Sequence, residues 1–237
     1  DNIIALQIIK VLKDEIADYA VNMPVISEDI FNSVSPFIEL CNNLGLLFSQ
    51  LSEESVEDIE ISFNGTIAGF KTSLLVLIML SKILQKNISE KVNLVNVTLI
   101  AEEKGLKIKE IKNSQSKDYI NLIKLKGRGI GMDLSVSGTI TGIKNMPRFI
   151  SIDKFEIDMV PSNYMAFIKY EDIPGQIGKI GTAFGKLGVN IAAMHVGRKV
   201  VSGEALMGLN LDSNVNNKML EEFKKTSGFE KIKIIRM

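Results

Sequence analysis

Apolar residues recur at helical spacing from the first residues of the chain. Over residues 3–19 the series is Ile4, Ile8, Val11, Leu12 and Ile16. Because the periodicity is already running there, the chain reads as opening inside a larger unit. Asn22, Pro24 and Ser27 interrupt it. Helices are then expected over 28–32 and 36–51, the second with Phe37, Leu40, Leu44, Leu47, Phe48 and Leu51 on one side. Alternation in Ile59-Glu60-Ile61-Ser62-Phe63 predicts a strand. Thr72 or Ser73 is placed to cap a helix running to Gln85, and a shorter helix over 94–104 is closed by Gly105, a residue suited to the left-handed C′ position.

From residue 106 to 159 the period falls to two. Strands are expected over 106–109, 119–126, 132–140, 149–152 and 155–157, with polar turns between them. Gly127-Arg128-Gly129-Ile130-Gly131 has the look of a phosphate loop, but a dinucleotide fingerprint needs glycine where Met132 stands and a helix after it. Residues 132–136 alternate instead, so the segment reads as a hairpin turn. Val160-Pro161-Ser162-Asn163 is the clearest linker. Beyond it the order is strand 164–170, helix 175–187, strand 190–198, strand 204–211, helix 216–225 and strand 231–236, the ferredoxin-like βαββαβ succession. The fold class is therefore α+β, with a mixed α/β domain over 21–160, a helix over 1–20 before it, and a ferredoxin-like unit over 163–237.

Composition removes chemistries from consideration. The chain has 28 Lys+Arg against 28 Asp+Glu, which gives no electrostatic reason for a nucleic acid or an anionic membrane as partner. With one His and one Cys, a Ser/His/Asp triad could use His195 alone, a Cys/His zinc site has two candidate ligands, and the chain holds no pair of cysteines to make a disulfide. A reducing, cytoplasmic setting is expected. The longest apolar run, 74–80, is far short of the ~20 residues that span a bilayer and reads as a buried helix. The first residues lack the regions of a signal peptide. No catalytic, cofactor-binding or metal-ligating residue is assigned.

The helix over 175–187 has two faces. Ile177, Ile180, Phe184 and Leu187 lie within ~80° of one another, and Gly178, Gly181 and Gly185 form an adjoining stripe. A helix-interior glycine costs ~1 kcal/mol against alanine, so three of them imply tight packing or a small ligand beside the stripe. The turn Asp172-Ile173-Pro174-Gly175 leads into this helix, whose free N–H groups offer a carboxylate a seat. Asp172 could pair with an ammonium group or only stabilise the turn. Asn190 could hold a carboxylate or hydroxyl, or only adopt an unusual turn conformation after Gly188.

Tyr170-Glu171-Asp172-Ile173-Pro174-Gly175-Gln176-Ile177-Gly178-Lys179-Ile180-Gly181 and Gly188-Val189-Asn190-Ile191-Ala192-Ala193-Met194-His195-Val196-Gly197-Arg198 closely resemble the C-terminal ACT domain of the D-3-phosphoglycerate dehydrogenases, and Ser202-Gly203-Glu204-Ala205-Leu206-Met207 continues the match. Upstream, Asn22-Met23-Pro24, Thr72-Ser73, Val92-Asn93-Leu94-Val95-Asn96, Glu103-Lys104-Gly105, Tyr119, Gly138-Thr139 and Pro147-Arg148 resemble landmarks of the allosteric substrate-binding (intervening) domain of the long form. Residues 1–20 then resemble the returning helix of its substrate-binding domain.

The resemblance implies a regulatory, oligomer-forming region of a serine-biosynthetic oxidoreductase. NAD would belong to a catalytic part that this chain lacks. The implied effector is L-serine or another small amino acid, bound between ACT domains of a homo-oligomer. The family's serine-binding positions fall on Tyr170, Asp172 and Asn190, with the Gly175, Gln176 and Ile177 amides completing the cage. A possible anion site in the middle domain falls on Arg148 and Lys144. Departures from the family are Ile173 where Arg is usual, Val200-Val201 in place of a more polar turn, and His195 where Gln is frequent. Two other contexts share these domain types, a freestanding amino-acid-binding regulatory module and the regulatory half of an iron–sulfur L-serine dehydratase. Cys41 alone disfavours the latter, since a cluster wants several thiolates.

Overall fold

A computed structural model describes residues 28–86, 88–200 and 203–237. The helix expected over 3–19, and the 1–20 segment with it, lies outside them. Helix α1 (Glu28–Val34) passes through a 3-10 turn (Ser35–Phe37) into α2 (Ile38–Leu51). Leu40, Leu44, Leu47 and Phe48 are fully buried, the side that the spacing selects. Strand β1 (Asp58–Gly65) is followed by a short 3-10 turn, α3 (Ser73–Gln85) and α4 (Val97–Glu103). Thr72 precedes α3 but does not cap it; its hydroxyl donates to Glu110 Oε1 at 2.5 Å instead. The expected start of α4 at residue 94 is three residues early. Asn93 Oδ1 accepts from the Val95 and Asn96 amides and ties that stretch into a turn.

Strands β2 (Lys107–Asn113), β3 (Asn121–Gly129), β4 (Met132–Thr141), β5 (Met146–Ile152) and β6 (Phe155–Met159) complete a six-stranded sheet in the order β2-β1-β3-β4-β5-β6. The β1–β2 pair is parallel, with α3 and α4 in the crossover; the other pairs are antiparallel. Residues 129 and 132 pair across a tight turn in which Gly131 has φ 74°, so the 127–131 segment is a hairpin. Gly127 and Gly129 serve the strand, however. A Cβ on Gly127 would stand 2.3 Å from Cζ of the buried Phe48, so glycine lets α2 lie close on the sheet.

The second unit comprises β7 (Tyr164–Glu171), α5 (Gln176–Lys186), β8 (Ile191–Arg198), β9 (Glu204–Leu211), α6 (Asn217–Ser227) and β10 (Ile232–Arg236). Its antiparallel sheet has the order β10-β7-β9-β8, the ferredoxin-like arrangement. One sheet face shares a core with the helices, built on Ile168, Ile180, Phe184, Leu209 and Phe223. The other face sends Met165, Phe167, Leu206 and Ile235 into the core of the first unit. Close approach is enforced there too, because a Cβ on Gly208 would meet Met159 Sδ at 2.2 Å and one on Gly197 the Glu156 carbonyl at 2.3 Å.

Candidate functional site

The chain leaves β7 through a hydrogen-bonded turn. Asp172 N–H donates to the Gly203 carbonyl (2.8 Å) and Ile173 N–H to that of Glu171 (2.9 Å). Gly175 then takes φ 91°, a conformation open to glycine at little steric cost, and starts α5 without any side-chain cap. The first amides of α5 thus lack helical or capping partners and lie at the positive end of its dipole. Gln176 adds a buried Oε1 with no hydrogen-bond donor.

Tyr170 is buried at the end of β7, edge-on to Phe229 with ring centroids 6.0 Å apart. Desolvation pushes its hydroxyl pKa up, helped by the Asp172 carboxylate and opposed by Arg198. Asp172 itself is engaged, since Arg198 Nη1 donates to its Oδ2 at 3.1 Å. At the other end of the sheet, Asn190 Nδ2 donates to Asp212 Oδ2 at 2.6 Å, and Asp212 N–H returns a bond to the Asn190 carbonyl.

The expected cage residues therefore do not converge within one chain. Glu171 pairs with Glu204 at the start of β9, whereas Ile191 pairs with Leu211 at its end. Seven steps of ~3.4 Å along β9 put Glu171 and Ile191, the neighbours of Asp172 and Asn190, about 24 Å apart along the strand direction. Tyr170, Asp172, Gly175, Gln176 and Ile177 share one end with Arg198; Asn190 and Asp212 occupy the other. Strand β8 lies at the edge of the sheet. Beside it, Ile177 is 55% exposed, and a Cβ on Gly178, Gly181 or Gly185 would meet nothing within 4 Å. Packing within the chain is accordingly not the reason for the glycine stripe.

Of the residues expected at a possible anion site in the first unit, Arg148 is engaged by a carboxylate. Arg148 Nε donates to Asp158 Oδ1 (2.5 Å) and its Nη2 to the Asp158 carbonyl (3.0 Å), while Lys144 is exposed in the turn after β4. Asp158 has φ 34° at a register shift between β5 and β6, so Arg148 braces an irregular strand.

Comparison with known proteins decides the family. The model of the D-3-phosphoglycerate dehydrogenase intervening domain matches residues 33–153, and that of the ACT domain matches residues 164–228. The chain belongs to the D-3-phosphoglycerate dehydrogenase family. Its relatives include the D-3-phosphoglycerate dehydrogenases of Synechocystis sp. (35% identical over 226 residues, 95% of this chain and 41% of that protein), Methanocaldococcus jannaschii (34% over 235 residues, 99% and 44%) and Bacillus subtilis (33% over 217 residues, 91% and 41%). The chain thus spans about two fifths of the length of these relatives.

Within this family's ACT unit, the sequence reading missed Arg198 and Asp212. The signal lay in the βαββαβ order, which sets the last residues of the first and second strands at the same end of the sheet, across the third strand. No helix among the described residues is long and apolar enough to cross a membrane.

Proposed function

We propose that the chain is the C-terminal regulatory and oligomer-forming part of an NAD-dependent D-3-phosphoglycerate dehydrogenase of serine biosynthesis, and that L-serine is its effector, bound between the ACT units of two copies. NAD and the oxidation chemistry belong, in this reading, to a catalytic part outside the chain. The observation that carries the proposal is the separation of Asp172 from Asn190 along an edge-strand unit. Two β8 strands paired antiparallel about a two-fold axis, in full register, set Ile191 of one opposite Arg198 of the other. Asn190 of a second copy then meets Asp172, Tyr170 and the uncapped start of α5. Each interface holds two such sites. The ammonium group of serine pairs with Asp172 and its carboxylate lies toward the α5 amides, which carry partial positive charge.

Sedimentation and calorimetry test this together. A dimer or larger assembly is expected at tens of micromolar, a concentration at which about 6 to 7 kcal/mol of association suffices. L-serine should bind with measurable heat, and Asp172→Ala or Asn190→Ala should each weaken it by ~1.5–3 kcal/mol, the worth of one charged hydrogen bond. A monomer that gives no heat with millimolar serine would rule the proposal out.

A further inference from the structure

We propose that Arg198 is the side chain that selects carboxylate-bearing ligands at the Asp172 end of the ACT sheet, an inference that rests on the amino-acid site proposed above. Arg198 closes β8 opposite Ala205, and its Nη1 donates to Asp172 Oδ2 at 3.1 Å. That bond uses one of the five N–H donors of a guanidinium, and the side chain stays 58% exposed. Lys199, next in sequence, is drawn elsewhere, with its ammonium 5.4 Å from the centre of the Phe155 ring.

The chemistry around Arg198 favours a cation there. Asn190 has one Nδ2 hydrogen committed to Asp212, which leaves its Oδ1 and one N–H for a ligand. Asp172 and the Asn190 Oδ1 suit an ammonium group, while the Asp172 charge repels a carboxylate that has only the one Asn190 N–H to offset it. The uncapped α5 amides answer with roughly half an elementary charge. Arg198 supplies a full charge in a planar fork that fits a carboxylate. Asp172 and Arg198, side by side, mirror the two charges of an α-amino acid in reverse. The ion pair is also easily opened to a ligand, because an exposed guanidinium loses little by sharing its remaining donors.

Calorimetry on the 237-residue chain with L-serine and L-serinamide tests the assignment. Serinamide keeps the ammonium and hydroxyl groups and replaces the carboxylate with a neutral amide. At about pH 6 both amines are charged. The wild type should prefer serine by about tenfold or more. Arg198→Met should lose most of that preference without losing serinamide affinity, and Arg198→Lys should keep more of it. An undiminished preference in Arg198→Met overturns the proposal and leaves the amino-acid site standing. Parallel loss of both ligands also overturns it, since Arg198 would then only hold Asp172 in place. A wild type that binds neither ligand removes the amino-acid site itself, and this inference with it.

Discussion

What lies where a side chain would grow decides the role of a glycine in this chain. At Gly65 the backbone has φ 95°, and a Cβ would stand 1.9 Å from the Ile120 carbonyl oxygen. Gly65→Ala should therefore cost more than ~2 kcal/mol in urea unfolding, combining backbone strain with a clash against main chain. Gly178 and Gly181 are the opposite case, being helical with open space beyond them. Alanine at either position should raise the stability of the dilute chain by ~0.5–1 kcal/mol. The same substitutions should weaken serine binding if the stripe faces a second copy and its ligand. A gain in stability with serine affinity untouched would remove the stripe from the site. Cys41 gives a further residue-scale test. It is wholly buried in α2, and desolvation pushes its thiol far above the ordinary range. Alkylation followed by mass spectrometry should label it only as fast as the core opens.

Between elements, the end of α2 is bound to the edge strand β10. Gln50 Nε2 donates to the Arg236 carbonyl at 2.8 Å and its Oε1 accepts from the Arg236 amide at 2.9 Å, so one side chain occupies both outward groups of that residue. Gln50→Ala should free them and speed hydrogen exchange at the Arg236 amide without unfolding either sheet. Close by, Lys233 Nζ meets Glu53 Oε1 at 2.5 Å, and this hydrogen bond, with the charge behind it, holds the Glu53 carboxyl below its usual pKa. A carboxyl depressed in the folded state stabilises above its unfolded pKa, and the contribution disappears as pH falls through the folded value. Glu53→Gln should thus remove part of the stability lost between pH 6 and pH 3. The effect should stay within about 1 kcal/mol because the pair is largely exposed. These contacts also show which features were legible in sequence. Helix α3, the 129–132 hairpin and the six ACT elements follow local periodicity and were readable. The extent of β2 depends on parallel pairing with β1, and the Arg198–Asp172 and Asn190–Asp212 pairs depend on strand register, which no local spacing encodes. The Arg148–Asp158 pair was hidden for the same reason, since Asp158 is reached only across the β5–β6 irregularity.

At the scale of the whole molecule, one sheet packs on both faces and is occupied along part of one edge. The ACT strands bury one face against α5 and α6 and the other against the first unit, and Gln50 occupies part of the β10 edge. Strand β8 is left as the edge with a glycine-lined helix beside it. If two copies join there, effector binding and assembly share residues, so serine should tighten the dimer by the same factor by which dimerisation raises serine affinity. A mixing experiment separates a shared site from one built within a single chain. Asp172→Ala and Asn190→Ala should each bind serine poorly alone. A mixed dimer takes Asn190 from the first variant and Asp172 from the second, which restores one of its two sites and leaves the other doubly defective. Random exchange of equal amounts gives half of all dimers as mixed, so calorimetry should recover near-wild-type affinity at about one quarter of the wild-type site number. No recovery on mixing, with exchange verified by native mass spectrometry, would mean that Asp172 and Asn190 never face the same ligand.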